Sequence, residues 1–164
     1  MLKEKSICFT GHRKISDDHY YRVMFLLNQI VEEKIKEGYT VFCAGGALGF
    51  DTLAALTVLK MKNRYKNVKL HLYLPCKDQS EKWHNSDKEM YNRMIKEADK
   101  VVYLSEKYTP FCMSERNRAL VDNSSLCIAY CTQPKGGTAY TIGYAMDNGM
   151  EVINIAQLIE DKEI

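Results

Sequence analysis

The sequence predicts an α/β protein: a Rossmann-like three-layer αβα sandwich around a mainly parallel sheet of about six strands. Three observations lead there. Short runs rich in β-branched and aromatic residues alternate with helix-period segments from end to end. Two strand-to-helix junctions carry paired glycines, Ala44-Gly45-Gly46-Ala47-Leu48-Gly49-Phe50-Asp51 and Lys135-Gly136-Gly137-Thr138. The 164 residues are 46% apolar and 27% charged, which suits one domain with a sizeable core. Parallel strands need helical, right-handed crossovers, and these gather the βα loops on one sheet edge, where open α/β folds take ligands.

Each element has a local reason. Residues 6–9 read as a first strand. Ser16 is placed to cap the next helix, with Asp17 and Asp18 in its first turn. Val23, Leu26, Leu27, Ile30, Val31 and Ile35 recur at helical spacing, and Gly38 follows as the C′ residue. Residues 39–43 form a second strand and 51–63 a second helix. Residues 68–74 make a third strand, stopped by Pro75. A polar segment, 77–85, holds the sole tryptophan, Trp83. Ser86-Asp87-Lys88-Glu89 matches a capping box that opens a helix reaching about Ala98. A strand at 101–104, a short helix at 114–122 and a strand at 126–130 follow. A helix at 138–148, closed by Gly149, leads to a sixth strand at 150–155 and a short closing helix. No repeat or linker interrupts the pattern, so residues 1–164 read as a single domain.

Charge and cysteines narrow the class. A net charge of +2 is too small to argue for nucleic acid by itself. No apolar run has the length of a membrane helix, and the N-terminus lacks a signal-peptide apolar region. The reading is therefore a cytoplasmic protein without a membrane partner. Six cysteines show no C-x-x-C and no zinc spacing, so no metal is expected. Cys8, Cys43 and Cys127 lie in strand-like runs and read as buried thiols; Cys76 and Cys112 fall in loops near strand ends.

Four loops converge on the ligand edge. Gly11, His12 and Arg13 follow the first strand and offer a tight turn, a donor and a fixed cation. Gly45, Gly46 and Gly49 let backbone approach an anion at the next helix N-terminus, and Asp51 is either a first-turn carboxylate or a ribose acceptor. Arg116 and Asn117 open the fourth helix. Gly136, Gly137 and Thr138 form a second phosphate cradle. Neither turn is a G-x-x-x-x-G-K-[ST] or G-x-G-x-x-G motif. Trp83 or a nearby tyrosine is a candidate to stack on a base.

At these loops the sequence resembles the SLOG superfamily, the Rossmann-like group that includes LOG-type phosphoribohydrolases and the DNA-processing protein DprA, and in particular its small bacterial YpsA-like branch. The resemblance rests on Thr10-Gly11-His12-Arg13, on the run from Gly45 to Asp51, on Arg116-Asn117 and on Gly136-Gly137-Thr138. It implies a SLOG-like nucleotide-binding domain over residues 1–164. Its ligand would be a nucleotide or an ADP-ribose-like derivative, its role sensing or regulation, and its assembly a homodimer. LOG enzymes carry a catalytic glutamate after the threonine of the glycine turn; Ala139-Tyr140-Thr141 offers none. Binding without hydrolysis is therefore the expectation. The alternatives are a nucleotide-processing hydrolase, with Glu115, Asp51 or His12 as its acid or base, and a DprA-like module for single-stranded DNA.

Overall fold

A computed structural model describes residues 2–162. The strands are β1 (Ser6–Gly11), β2 (Val41–Ala44), β3 (Lys69–Leu74), β4 (Lys100–Tyr103), β5 (Leu126–Tyr130) and β6 (Glu151–Asn154). The helices are α1 (Tyr20–Lys36), α2 (Phe50–Met61), α3 (Asn85–Glu97), α4 (Cys112–Asp122), α5 (Gly137–Asp147) and α6 (Ile155–Asp161), and a 3-10 turn, Lys3–Lys5, precedes β1. The sheet is wholly parallel, in the order β4-β3-β2-β1-β5-β6. The chain winds outward from β1 to β4, then returns through α4 to β5 on the other side of β1. The strand order therefore reverses between β1 and β5, which is where doubly wound sheets open a crevice at their C-terminal edge.

Side-chain alternation along the strands divides the core into two layers. Ile7, Phe9, Phe42, Leu70, Leu72 and Ile128 face the larger core with α1, α2, α3 and α6. Cys8, Cys43, Cys127 and Ala129 face the smaller core with α4 and α5. Cys8 stands in register with Cys43 on one side and Cys127 on the other, so three thiols form a buried row across the centre of the sheet. The hydrogen bond to Cys127, followed by burial, pushes the Cys8 thiol up; burial pushes Cys43 up to about 12. Cys8 and Cys43 are inert, protonated packing groups. Cys76 and Cys112 are buried as well, and Cys112 begins α4 rather than lying in a loop.

Two expected helix starts are displaced. Ser16 does not cap α1: residues 17–19 form a turn, the His19 amide donates to the Ser16 carbonyl at 3.0 Å, and the helix begins at Tyr20. His19 is held instead by Tyr130, whose hydroxyl pairs with its Nδ1 at 2.9 Å, and this tie to β5 fixes where the helix enters. Ser86 is not the cap of α3 either, because the helix already includes Asn85 after an extended His84. The helix ends follow glycine as expected: Gly38 and Gly149 take φ of 110° and 74° just past α1 and α5.

Candidate functional site

The site is built on two loops locked together. Gly49 has φ 80°, and a Cβ there would collide with the Arg13 carbonyl. The Phe50 amide donates to the His12 carbonyl at 3.1 Å, and a Cβ on Gly11 would stand 2.5 Å from Phe50 Cβ. The loop after β1 is thus pressed against the start of α2 with no room for a side chain between them. His12 then reaches across the switch point. Its Nε2 accepts from the Thr132 amide at 2.8 Å, and its ring lies edge-on to Tyr130 with centroids 5.7 Å apart. That bond requires a bare Nε2, and burial lowers the imidazole pKa, so the neutral ring holds the loop after β5 in place.

Arg116 forms the floor. It is 5% exposed, and its Nη1 donates to the Gly45 carbonyl. Its Nε donates to Asn117 Oδ1 at 2.8 Å, and Nη2 lies 3.7 Å from the Met113 sulfur. Asp51 is its nearest opposite charge: a Cβ on Gly45 would lie 2.7 Å from Arg116 Nη1 and 2.9 Å from Asp51 Oδ2. The Ala47 amide donates to Asp51 Oδ2 at 3.3 Å. Burial pushes the Asp51 carboxyl up to about 6, against the pull of Arg116, the Ala47 amide and Arg13. Burial likewise pulls Arg116 down, with Asp51 opposing and the like charge of Arg13 adding to the pull. Arg116 and Arg13 both act electrostatically on Asp51 without forming an ion pair with it, and two guanidinium charges against one carboxylate leave the centre cationic whenever Asp51 is ionised and more so when it is protonated.

These groups surround a cavity of about 290 Å³ at the switch point. Gly11, His12, Arg13, Asp51, Arg116, Asn117, Gly137 and Thr138 line it. Gly45, Gly46, Gly49 and Gly136 stand outside the lining. Gly45 and Gly46 are buried, and a Cβ on Gly46 would lie 2.5 Å from Leu74 Cδ2. Gly137, by contrast, is exposed, with nothing within 4 Å of a Cβ position. It is the first residue of α5, and no side chain caps that helix at Gly136. The amides of the first α5 turn therefore face the cavity rim with the positive end of an 11-residue helix behind them. Glu115 is exposed and outside the lining.

Phe9, Thr10, Ala47 and Met113 complete the wall; Thr10 and Ala47 lie inside the motifs that carry the resemblance, and none of the four stands out by itself as a ligand-binding group. Thr10 is the last residue but one of β1, which runs two residues past the expected end at Phe9 and so brings Thr10 to the sheet edge beside Gly11. Trp83 lies in an adjoining cavity that also includes Arg13 and Met113. Among the described residues, no group of three His, Cys, Asp or Glu side chains could hold a metal ion. No helix among them is long and apolar enough to cross a membrane.

Known proteins resemble this chain in sequence or in fold. The chain is 30% identical over 129 residues to the uncharacterized SPbeta prophage-derived protein YoqJ of Bacillus subtilis, covering 71% of this chain and 75% of that protein. DNA processing protein A from Streptococcus pneumoniae superposes with a TM-score of 0.66 at 20% identity; the match covers 92% of this chain but only 50% of that one. DNA processing protein A from Helicobacter pylori, described in a single-stranded DNA binding mode, gives a TM-score of 0.66 at 15% identity, covering 99% and 74%. At those identities the two structures establish the fold alone. The model of the YspA SLOG family matches residues 7–161, which carry β1 from Ile7 onward, the other five strands whole and every loop of the cavity. The chain belongs to the YspA SLOG family.

Proposed function

We propose that this protein binds the phosphate-bearing part of a nucleotide or nucleotide-derived ligand, such as ADP-ribose, in the switch-point cavity, as a sensor or regulator. One observation carries the reading: a buried arginine, Arg116, held by a backbone carbonyl at the floor of a polar cavity whose rim is an uncapped helix N-terminus. Burying a guanidinium costs several kcal/mol unless something repays it. The nearby Asp51 carboxylate, which also acts on Arg13, offsets it only in part, and a phosphate would complete the balance through charge-assisted bonds. The α5 amides supply neutral donors on the opposite side. The six unpaired thiols suit a reducing, cytoplasmic setting.

The exposed Arg13 provides the clean test, since its side chain is not part of the core. Arg13→Ala should leave the melting temperature nearly unchanged and weaken binding of a nucleotide phosphate by about 1–3 kcal/mol in calorimetry. Equal affinity in both proteins would remove Arg13 from the site.

A second reading has one specific observation in its favour. Asp51 is a buried carboxyl in the cavity wall, with a pKa raised to about 6. Such a group can exchange a proton near neutral pH, as a hydrolase of an N-glycosidic bond requires. Consumption of AMP that disappears in Asp51→Asn would establish it; AMP recovered intact after binding would leave the sensor reading.

A further inference from the structure

The second cavity at this edge has a chemistry of its own. It measures about 420 Å³ and adjoins the cationic centre, with Arg13 and Met113 common to both. Its walls include Trp83, Tyr108 and Gln79. Trp83 is half-buried, its ring edge-packed against Tyr91 with centroids 5.1 Å apart, so its position is fixed by the core. Tyr108 is 63% exposed on the far loop. Gln79 donates from Nε2 to the Tyr91 hydroxyl at 3.0 Å, while its buried Oε1 finds no hydrogen-bond partner among the described residues.

The charges here differ from those next door. Asp78 and Glu81 balance Arg13 and Lys82 around the opening, so the compartment offers no net attraction to a second phosphate. Aromatic walls and balanced charge suit a flat heteroaromatic group. We propose that the Trp83–Tyr108 cavity is the base compartment of the site: it takes the nucleobase of a mononucleotide whose phosphate lies on Arg13 and Arg116, with Arg13 at the junction. The proposal rests on the phosphate reading above and adds to it the aromatic part of the ligand. The two cavities together have the size of one small-molecule site rather than of an extended strand groove.

Trp83 is the only tryptophan, so fluorescence excited selectively at the indole reports on this compartment. The experiment titrates AMP, ribose 5-phosphate and a single-stranded oligodeoxyadenylate into wild type, Trp83→Phe and Tyr108→Ala, with calorimetry alongside. The expected result has AMP binding tenfold or more tighter than ribose 5-phosphate, on the order that base stacking on an aromatic supplies. AMP should quench Trp83 and ribose 5-phosphate should not. Tyr108→Ala, at an exposed position, should erase much of the AMP preference without changing ribose 5-phosphate affinity, and Trp83→Phe should retain part of it. Equal affinity of AMP and ribose 5-phosphate would overturn the base compartment while leaving the phosphate site standing. Binding of neither would overturn both. Tighter binding and stronger quenching by the oligonucleotide would replace the mononucleotide with a nucleic-acid strand.

Discussion

The turn after β2 and the turn after β5 both place glycines between a strand and a helix, yet their interiors are opposite. Around Gly45, Gly46 and Gly49 the space is filled: by Arg116 and Asp51, by Leu74 and Tyr91, and by the backbone of Arg13. Where a Cβ would stand on Gly136 or Gly137, no atom lies within 4 Å. The first turn uses glycine to bring protein against protein, and so fixes Arg116, Asp51 and the β1 loop. The second uses glycine to leave backbone amides open at a helix N-terminus. A glycine-rich βα turn therefore marks a close approach, and what a Cβ would meet tells whether the approaching partner is the protein itself or something from outside.

The largest effect that could break this contrast lies at Gly49. Gly49→Ala adds a backbone clash with Arg13 to a φ of 80°, and should destabilise the fold by about 4 kcal/mol or more in urea denaturation. A loss below about 1 kcal/mol would show that the two loops are not locked.

Asp51 sharpens the contrast through pH. Its carboxyl is raised from 3.8 to about 6 in the fold. A raised carboxyl favours the protonated form, so its contribution is fully present below 3.8 and is lost as pH rises through about 6. The wild type should lose stability relative to Asp51→Asn across that window, by at most about 3 kcal/mol. A difference in melting temperature that stays flat with pH would mean that the carboxylate is ionised throughout, in full partnership with Arg116.

The open turn predicts smaller numbers. Gly136 has φ 112° but free space, so Gly136→Ala should cost only backbone strain, about 1–2 kcal/mol. Gly137→Ala meets neither clash nor a left-handed φ and should change stability by less than about 0.5 kcal/mol. Equal costs at Gly49 and Gly137 in the same denaturation series would erase the distinction between the turns.

The sequence shows the fold more completely than the site. Strand runs such as Leu126–Tyr130 are apolar throughout because a parallel strand is buried on both faces, and they stand out without any tertiary knowledge. The start of α1 was hidden because it depends on His19 meeting Tyr130, more than a hundred residues away. The site loops were legible as loops, through Gly11, Gly49 and Gly137, but not in their division of labour. That division depends on where Arg116 returns: α4 starts after the far edge strand, β4, yet its arginine ends on the carbonyl of Gly45. No local pattern announces such a contact. The acceptor role of His12 toward the Thr132 amide is invisible for the same reason.

The most direct test fills the open turn and nothing else. Gly137→Val places a side chain at the cavity rim in space that no protein atom uses. Thermal-shift measurements with AMP, ADP, ATP, GTP, NAD, ADP-ribose and phosphate on wild type and variant compare them at matched stability. The cavity assignment predicts that at least one of these raises the melting temperature of the wild type and that the same compound fails to raise that of Gly137→Val. Equal shifts in both proteins, or no shift in the wild type, would contradict it.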